Sequence, residues 1–216
     1  MSGIKKINDV LFIIDATGSM GSAIRAAHAR AADIARKLTK THADTDFKFG
    51  CICYRDPIDW QSDQHQVHDF DSNIQKMVKF LSTVVPTGGG DSPEDWVGAY
   101  RLALCDVNWR DGAKTIIHIA DANAHCSKFC GYNNHEEEAG KLEPLVFELA
   151  SMRAVICGMN MNNGASISFE QCRKIYEHAK GPKYSIEPFS EHGANVEKEI
   201  TKCTEVACED AMEEWY

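Results

Sequence analysis

Three short apolar runs, each bounded by polar turn residues, constrain what this chain can fold into. They are DVLFII at residues 9–14, KTIIHIA at 114–120 and AVICGM at 154–159. Continuous apolar runs of this length, rich in β-branched residues, are typical of strands that are covered on both faces. Such strands occur in parallel sheets with helices on both sides, so the runs predict an α/β fold.

Amphipathic helices are predicted between the strands, because small and apolar residues recur there at three- and four-residue spacing. The predicted helices are residues 23–38, 74–84, 94–107, 142–152, 168–179 and 195–215. Further strands are predicted at 47–54, 66–70 and 184–189, and the weakly hydrophobic 66–70 is placed at an edge. The predicted fold class is a doubly wound, mostly parallel central sheet with one antiparallel edge strand and helices on both faces.

The length and net charge of the chain limit the number of domains it can form and the kind of partner it can bind. With 216 residues, the chain is expected to form a single domain over residues 1–216. The net charge of −9 argues against nucleic acid or an anionic membrane as partner, since both require clustered Lys and Arg. The sequence leaves the oligomeric state open.

The cysteines and the N-terminal residues predict an intracellular, cytoplasmic protein. Nine cysteines is an odd number, and most lie in predicted strands and helices, which favours reduced, buried thiols over a disulfide framework. The N-terminal residues lack the apolar stretch and cleavage site of a signal peptide. No apolar run approaches the roughly 18–20 residues of a membrane span.

Side chains with hard oxygen donors occur in three loops that should meet at one edge of the sheet. The first loop, DATGSM, places Asp15, Thr17 and Ser19 at alternate positions after the first strand. The second contains TGGGD, and the third begins with Asp121 directly after KTIIHIA. Carboxylate and hydroxyl oxygens are the ligands that Mg²⁺, Mn²⁺ and Ca²⁺ prefer. A cation with few protein ligands retains an open position, which a Glu or Asp of a partner protein could occupy.

DVLFIIDATGSMGSAI, PTGGGDSPED and IIHIADANAH together resemble the metal-ion-dependent adhesion site of von Willebrand factor type A (VWA) domains. Their motif forms look most like those of the intracellular VWA domains attached to alpha-type protein kinases. The order of elements fits the family over nearly the whole chain. The resemblance implies a non-enzymatic module that holds a divalent cation, expected to be Mg²⁺ with Mn²⁺ or Ca²⁺ as alternatives, and binds an acidic residue of a protein partner.

The resemblance also implies roles for individual residues. Asp15, Thr17 and Ser19 match the ligands of the first loop, with Thr17 in place of the commoner serine, and Asp121 matches the third-loop carboxylate, which commonly acts through water. The ligand of the second loop is usually a threonine that follows two glycines. In this chain that register gives Gly90 and then Asp91, whereas Thr87 precedes the glycines. The second-loop ligand is therefore either Thr87 or Asp91.

The sequence leaves three alternatives to this metal site. A loop containing His125, Cys126, Cys130 and His135 has the ligand types of a Zn²⁺ site, but its spacing matches no standard finger, which favours a loop with free thiols. A Mg²⁺-dependent hydrolase or phosphoryl-transfer enzyme would require a base near the metal, for which His125 is the candidate, or a basic phosphate clamp, for which Arg55 is. The chain has neither a GxxxxGK[ST] nor a GxSxG motif. A metal-independent scaffold that binds through its sheet edge or acidic last helix is the third alternative.

Overall fold

A computed structural model of the chain describes residues 5–56, 64–89, 92–189 and 195–216. Its strands are β1 (Lys6–Asp15), β2 (Thr45–Tyr54), β3 (His65–Asp71), β4 (Ala113–Ala120), β5 (Val155–Met161) and β6 (Tyr184–Phe189). They form one six-stranded sheet in the order β3-β2-β1-β4-β5-β6. All neighbouring pairs are parallel except β2 and β3, which are antiparallel. The predicted fold class, including the antiparallel edge strand, is confirmed.

Helices cover both faces of this sheet. They are α1 (Gly21–Thr41), α2 (Ile74–Leu81), α3 (Trp96–Cys105), α4 (Ser127–Cys130), α5 (Leu142–Ser151), α6 (Ser166–His178) and α7 (Val196–Trp215). The helices α1, α2 and α7 pack on one face, and α3, α5 and α6 on the other. Alternate residues of β1 enter the two cores, with Phe12 in the first and Leu11 and Ile13 in the second. This two-sided burial explains why the run at residues 9–14 is apolar without alternation.

The third long helix begins two residues later than predicted. Glu94 forms an isolated parallel bridge with Ala124, and Asp95 caps the helix by accepting a hydrogen bond from the Gly98 amide at 2.6 Å. Helical geometry therefore begins at Trp96. The sequence also did not predict the short helix α4 or the single 3₁₀ turn at Gly18–Met20. A second 3₁₀ turn forms at Glu136–Glu138.

All nine cysteines are free, and eight of them are buried, with Cys105 exposed. The prediction that most of the cysteines are buried is confirmed, and their reduced state stays a prediction. Within the described ranges, no helix is long and apolar enough to cross a membrane.

Candidate metal centre

The oxygen donors predicted from the sequence lie where the topology of the sheet reverses. From β1 the chain passes to β2 on one side and later to β4 on the other, and β1 and β4 pair in parallel. Asp15 is the last residue of β1, and Asp121 directly follows the last residue of β4. The crevice beyond the carboxyl ends of two such strands is the usual ligand position in open α/β sheets.

The first loop brings three donor side chains together. Asp15 Oδ1 accepts hydrogen bonds from the Thr17 amide at 2.9 Å and from Thr17 Oγ1 at 2.7 Å. Thr17 Oγ1 lies 3.4 Å from Ser19 Oγ. Asp15 and Thr17 are buried and Ser19 is exposed, so the donors extend from the sheet edge to the surface. The alternate spacing in DATGSM therefore produces the predicted cluster of oxygens.

One carboxylate oxygen of this cluster has no partner in the described part of the chain. Asp15 is fully buried, yet its Oδ2 atom accepts no hydrogen bond there. Burial raises the pKa of Asp15 to about 7, and the negative charge of Asp121 raises it as well, while the hydrogen bonds from Thr17 and the charge of Arg55 lower it. An unpartnered buried carboxylate oxygen beside a second carboxylate is the electrostatic environment that a cation would stabilise.

Backbone hydrogen bonds hold the second loop against the first. The Thr87 amide donates to Ala16 O at 3.2 Å, and the Gly18 amide donates to Gly88 O at 3.3 Å. Gly88 and Gly89 adopt φ values of +89° and +95°, which residues with a Cβ rarely tolerate. Of the two candidate second-loop ligands, Thr87 is thus placed beside the cluster, and Asp91 lies outside the described residues.

The third loop is packed against a glycine. A Cβ at Gly164 would lie 1.7 Å from the backbone oxygen of Asp121. Gly164 lies just before α6, so the close approach fixes the Asp121 backbone against the loop that follows β5. The sequence did not single out Gly164, because only the tertiary structure brings it to Asp121.

Replacing Gly164 with alanine is expected to lower the free energy of unfolding by roughly 2–3 kcal/mol, since the new methyl group overlaps backbone that cannot easily move. The measurement is urea denaturation followed by circular dichroism. Gly140→Ala is the matched control, because a Cβ at Gly140 meets nothing within 4 Å. Equal stability of the two variants would contradict the packing described for Asp121.

Arg55 and His125, the residues considered for enzymatic chemistry, both have protein partners. The Arg55 guanidinium donates to Val85 O at 2.7 Å and lies 3.4 Å from Gln66 Oε1. His125 Nδ1 lies 2.7 Å from Asn134 Oδ1.

His125 also forms a buried ion pair, with its Nε2 atom 3.2 Å from Asp56 Oδ2. Despite the opposing effect of burial, the hydrogen bonds with Asp56 and Asn134 raise the pKa of His125 to about 9. At neutral pH the ring is therefore protonated and both nitrogens are engaged, an arrangement unsuited to a general base.

This ion pair belongs to a group that links the ends of three segments, and the sequence analysis did not find it. The Asp56 amide donates to Glu94 Oε2 at 3.0 Å, and the Glu94 amide donates to Asn123 O at 2.8 Å. Glu94 and Asp56 are each only 2% exposed. Buried charges at positions that follow β2, precede α3 and follow β4 stiffen the loops around the cluster. A charged residue within two residues of a strand end or a helix start, as at Asp56 and Glu94, is the signal that could have identified them.

The residues of the zinc alternative have other partners. Cys130 Sγ lies 3.1 Å from the backbone oxygens of Cys126 and Tyr132. His135 Nδ1 lies 3.1 Å from Glu137 Oε1, and the rings of His125 and His135 contact each other with centroids 4.6 Å apart. Within the described ranges, no group of three or more His, Cys, Asp or Glu side chains is arranged to hold a metal ion. The candidate centre differs in kind, since hydroxyl groups form much of its donor set.

A sequence profile decides the family. The profile described as von Willebrand factor A domain matches residues 9–131, which is more than half of the chain and includes Asp15 and Asp121. This chain belongs to the von Willebrand factor A domain family. VWA domains are commonly adhesion or protein-interaction modules. The profile covers the first, second and third loops of the candidate centre, and the presence of a metal there remains a prediction.

Known proteins similar to this VWA domain agree with the assignment. An alpha-protein kinase of Dictyostelium discoideum, vwkA, is 31% identical over 149 residues, which are 67% of this chain and 24% of that protein. The chain thus spans about a quarter of the length of this relative. The pilus adhesin SpaC of Lactobacillus rhamnosus GG superposes with a TM-score of 0.63 over 97% of this chain and 31% of SpaC, at 10% identity. Its open conformation gives a TM-score of 0.60 over 99% of this chain and 31% of that one, also at 10% identity. At this identity the similarity to SpaC concerns the fold alone.

Proposed function

We propose that this VWA domain is a non-enzymatic, divalent-cation-dependent module that binds a carboxylate of a partner protein. The observation that carries the proposal is the buried Asp15 carboxylate, whose Oδ2 atom accepts no hydrogen bond from any described residue. Leaving such an oxygen unsatisfied is costly, and a bound cation would offset this cost. The residues that would hold the cation are Asp15, Thr17, Ser19 and Asp121, together with Thr87 or Asp91.

The hydrogen bonds of the first loop fit this role. Because Thr17 Oγ1 can donate its proton to Asp15 Oδ1, the lone pairs of the hydroxyl are left for a cation. Ser19 is exposed and would complete the first-loop donors at the surface, where a partner has access. A bound cation would supply a fixed positive charge that pairs with an incoming Glu or Asp. The all-oxygen donor set favours Mg²⁺, with Mn²⁺ and Ca²⁺ as alternatives.

Two further features support a binding role inside the cell. The protonated, fully engaged His125 is not available as a general base, which favours a module without catalytic activity. The nine free cysteines favour a reducing compartment, and hence an intracellular location. The resemblance of the motifs to VWA domains of alpha-type kinases is compatible with such a location.

Isothermal titration of metal-stripped protein tests cation binding. Mg²⁺ or Mn²⁺ is expected to give saturable heat with the wild type, and Asp15→Asn is expected to abolish it. Asp111→Asn is the matched control, because Asp111 is exposed and precedes β4 at the opposite end of the strand. We also expect metal-free Asp15→Asn to be at least as stable as metal-free wild type, since the change removes a buried charge. Retained binding in Asp15→Asn, or no binding to wild type, would refute the proposed centre.

Peptide selection tests the second half of the proposal. A displayed library of random peptides is panned on the protein in Mg²⁺ and, separately, in EDTA. Selection in Mg²⁺ is expected to enrich peptides with an essential Asp or Glu, and changing that residue to Asn or Gln should abolish binding. Enrichment of the same peptides in EDTA would favour the metal-independent scaffold instead.

A further inference from the structure

A cavity of about 660 Å³ opens on the flank of the domain, between the start of β3, the first turns of α3 and the segment that leads into α5. Its volume lies within the range of roughly 300–1,000 Å³ that small-molecule sites occupy. None of its lining residues belongs to the candidate metal centre. Val97 and Leu145 give it an apolar part, and charged side chains give it a polar part.

A rigid polar wall forms one side of this cavity. His65 Nε2 lies 2.8 Å from Asp95 Oδ2, and Gln64 Nε2 donates to the same oxygen at 3.3 Å. Asp95 Oδ1 accepts from the Gly98 amide at 2.6 Å, so both carboxylate oxygens are satisfied. A Cβ at Gly98 would lie 2.1 Å from Asp95 Oδ2 and 2.6 Å from His65 Nε2. The absence of a side chain at Gly98 therefore makes room for the His65–Asp95 pair.

Charged side chains of both signs line the rest of the cavity. The exposed Arg101 forms no ion pair or hydrogen bond with any residue that the structure describes. Glu138 Oε2 is buried and has no hydrogen-bond partner among those residues, and its Oε1 atom is 3.9 Å from Lys141 Nζ. Burial raises the pKa of Glu138, as expected for a poorly solvated carboxylate. The cavity thus contains a cation without a partner among the described residues and a carboxylate whose ion pair with Lys141 is long, at 3.9 Å.

We propose that this cavity binds a small zwitterion of the α-amino acid class, with the ligand carboxylate paired to Arg101 and its ammonium group paired to Glu138. A purely anionic ligand would be repelled by Glu138 and Asp95, and a purely cationic one by Arg101 and Lys141. A zwitterion satisfies both signs of charge. Val97 and Leu145 would contact the ligand's side chain, which favours amino acids with apolar side chains.

The test begins with thermal shift measurements of the whole chain against the twenty common amino acids, followed by calorimetry on the ligand that stabilises most. Its N-acetyl derivative, which lacks the ammonium group, and its amide, which lacks the carboxylate, are then titrated. Each derivative is expected to bind at least about tenfold more weakly than the free amino acid, since each loses a charge-assisted hydrogen bond.

Two variants test which residue binds each end of the ligand. Arg101→Gln should lower the affinity for the free amino acid by about tenfold or more, and should leave the affinity for the amide no lower than that of wild type. Glu138→Gln should likewise lower the affinity for the free amino acid, and should leave the affinity for the N-acetyl derivative no lower than that of wild type. Arg36→Gln is the matched control, because Arg36 is exposed on α1. All three variants should retain the response to Mg²⁺, so failure here is distinguishable from failure of the metal centre.

Three results would overturn the proposal. The first is the absence of a stabilising amino acid in the panel. The second is an N-acetyl derivative or an amide that binds as tightly as the free amino acid, which would indicate recognition of a single charge. The third is an unchanged affinity in Arg101→Gln or Glu138→Gln.

Discussion

Replacing Arg110 with alanine is expected to lower the free energy of unfolding by about 3–5 kcal/mol, because it leaves a buried carboxylate without its counterion. Asp9, on β1, is fully buried. Its Oδ1 atom accepts from Arg110 Nε at 2.8 Å, and its Oδ2 atom accepts from the Arg110 amide at 2.7 Å. Arg110 Nη1 also donates to Asp46 Oδ2 at 2.6 Å. Removal of the guanidinium therefore breaks the main ionic contact of a charge that solvent does not reach.

Urea denaturation measures this loss, and Arg36→Ala serves as its control. The Arg36 side chain is 74% exposed and pairs with Asp33 on the same helix, a class of ion pair worth only about 0–1 kcal/mol. Asp9 and Arg110 lie toward the end of the sheet opposite Asp15, so the variant is expected to bind Mg²⁺ normally while it remains folded. A loss in Arg110→Ala no larger than that in Arg36→Ala would show that Asp9 does not depend on this partner.

The elements of the fold could be predicted from local patterns. The buried strands were recognisable because a strand covered on both faces has few positions for polar residues, as in residues 9–14 and 114–120. The edge position of β3 was recognisable from its weak hydrophobicity. The start of α3 was predicted too early, because Glu94 is held by a bridge to Ala124, thirty residues away in the chain. Local signals do not contain such a contact.

The donors of the candidate centre were also predictable, because three of them lie within five residues and a fourth follows a recognisable strand. The environment of these donors could not be predicted from the sequence. Among the described residues Asp15 Oδ2 has no partner, and Gly164 packs on Asp121; both features follow from the juxtaposition of distant loops. The same holds for Asp9, whose partner is 101 residues away. Sequence patterns indicate which side chains could bind a cation or form an ion pair. The tertiary structure determines which of them lack a hydrogen-bond partner.

A buried chain of hydrogen bonds at His118 illustrates the same point. His118, on β4, is fully buried, with Nε2 2.9 Å from Tyr54 Oη and Nδ1 3.0 Å from Tyr100 Oη. The rings of Trp96 and Phe169 lie with their centroids 4.2 Å and 5.2 Å from that of His118. In the sequence, His118 is one polar residue within an apolar run. In the structure it is a neutral ring that links two tyrosine hydroxyls, one as donor and one as acceptor.

We expect acid to destabilise the protein through His118. Burial lowers the pKa of His118 from its ordinary value of 6.5 to about 3, so the unfolded chain binds a proton that the folded chain does not. The stability associated with the neutral ring is fully present above pH 6.5 and is lost progressively as the pH falls toward 3. At about 1.4 kcal/mol per pKa unit, the loss is on the order of 4–5 kcal/mol over this range.

Comparison with His118→Phe separates this effect from the titration of other groups. At pH 7 the variant is expected to be less stable, because the hydroxyls of Tyr54 and Tyr100 lose their hydrogen bonds with His118 in a fully buried site. Since phenylalanine does not titrate, the difference between the two proteins should shrink as the pH falls from 6.5 toward 3. Urea denaturation at a series of pH values measures this difference. A gap that stays constant with pH would mean that His118 is protonated in the folded protein without penalty, and that its two tyrosine contacts do not require the neutral ring.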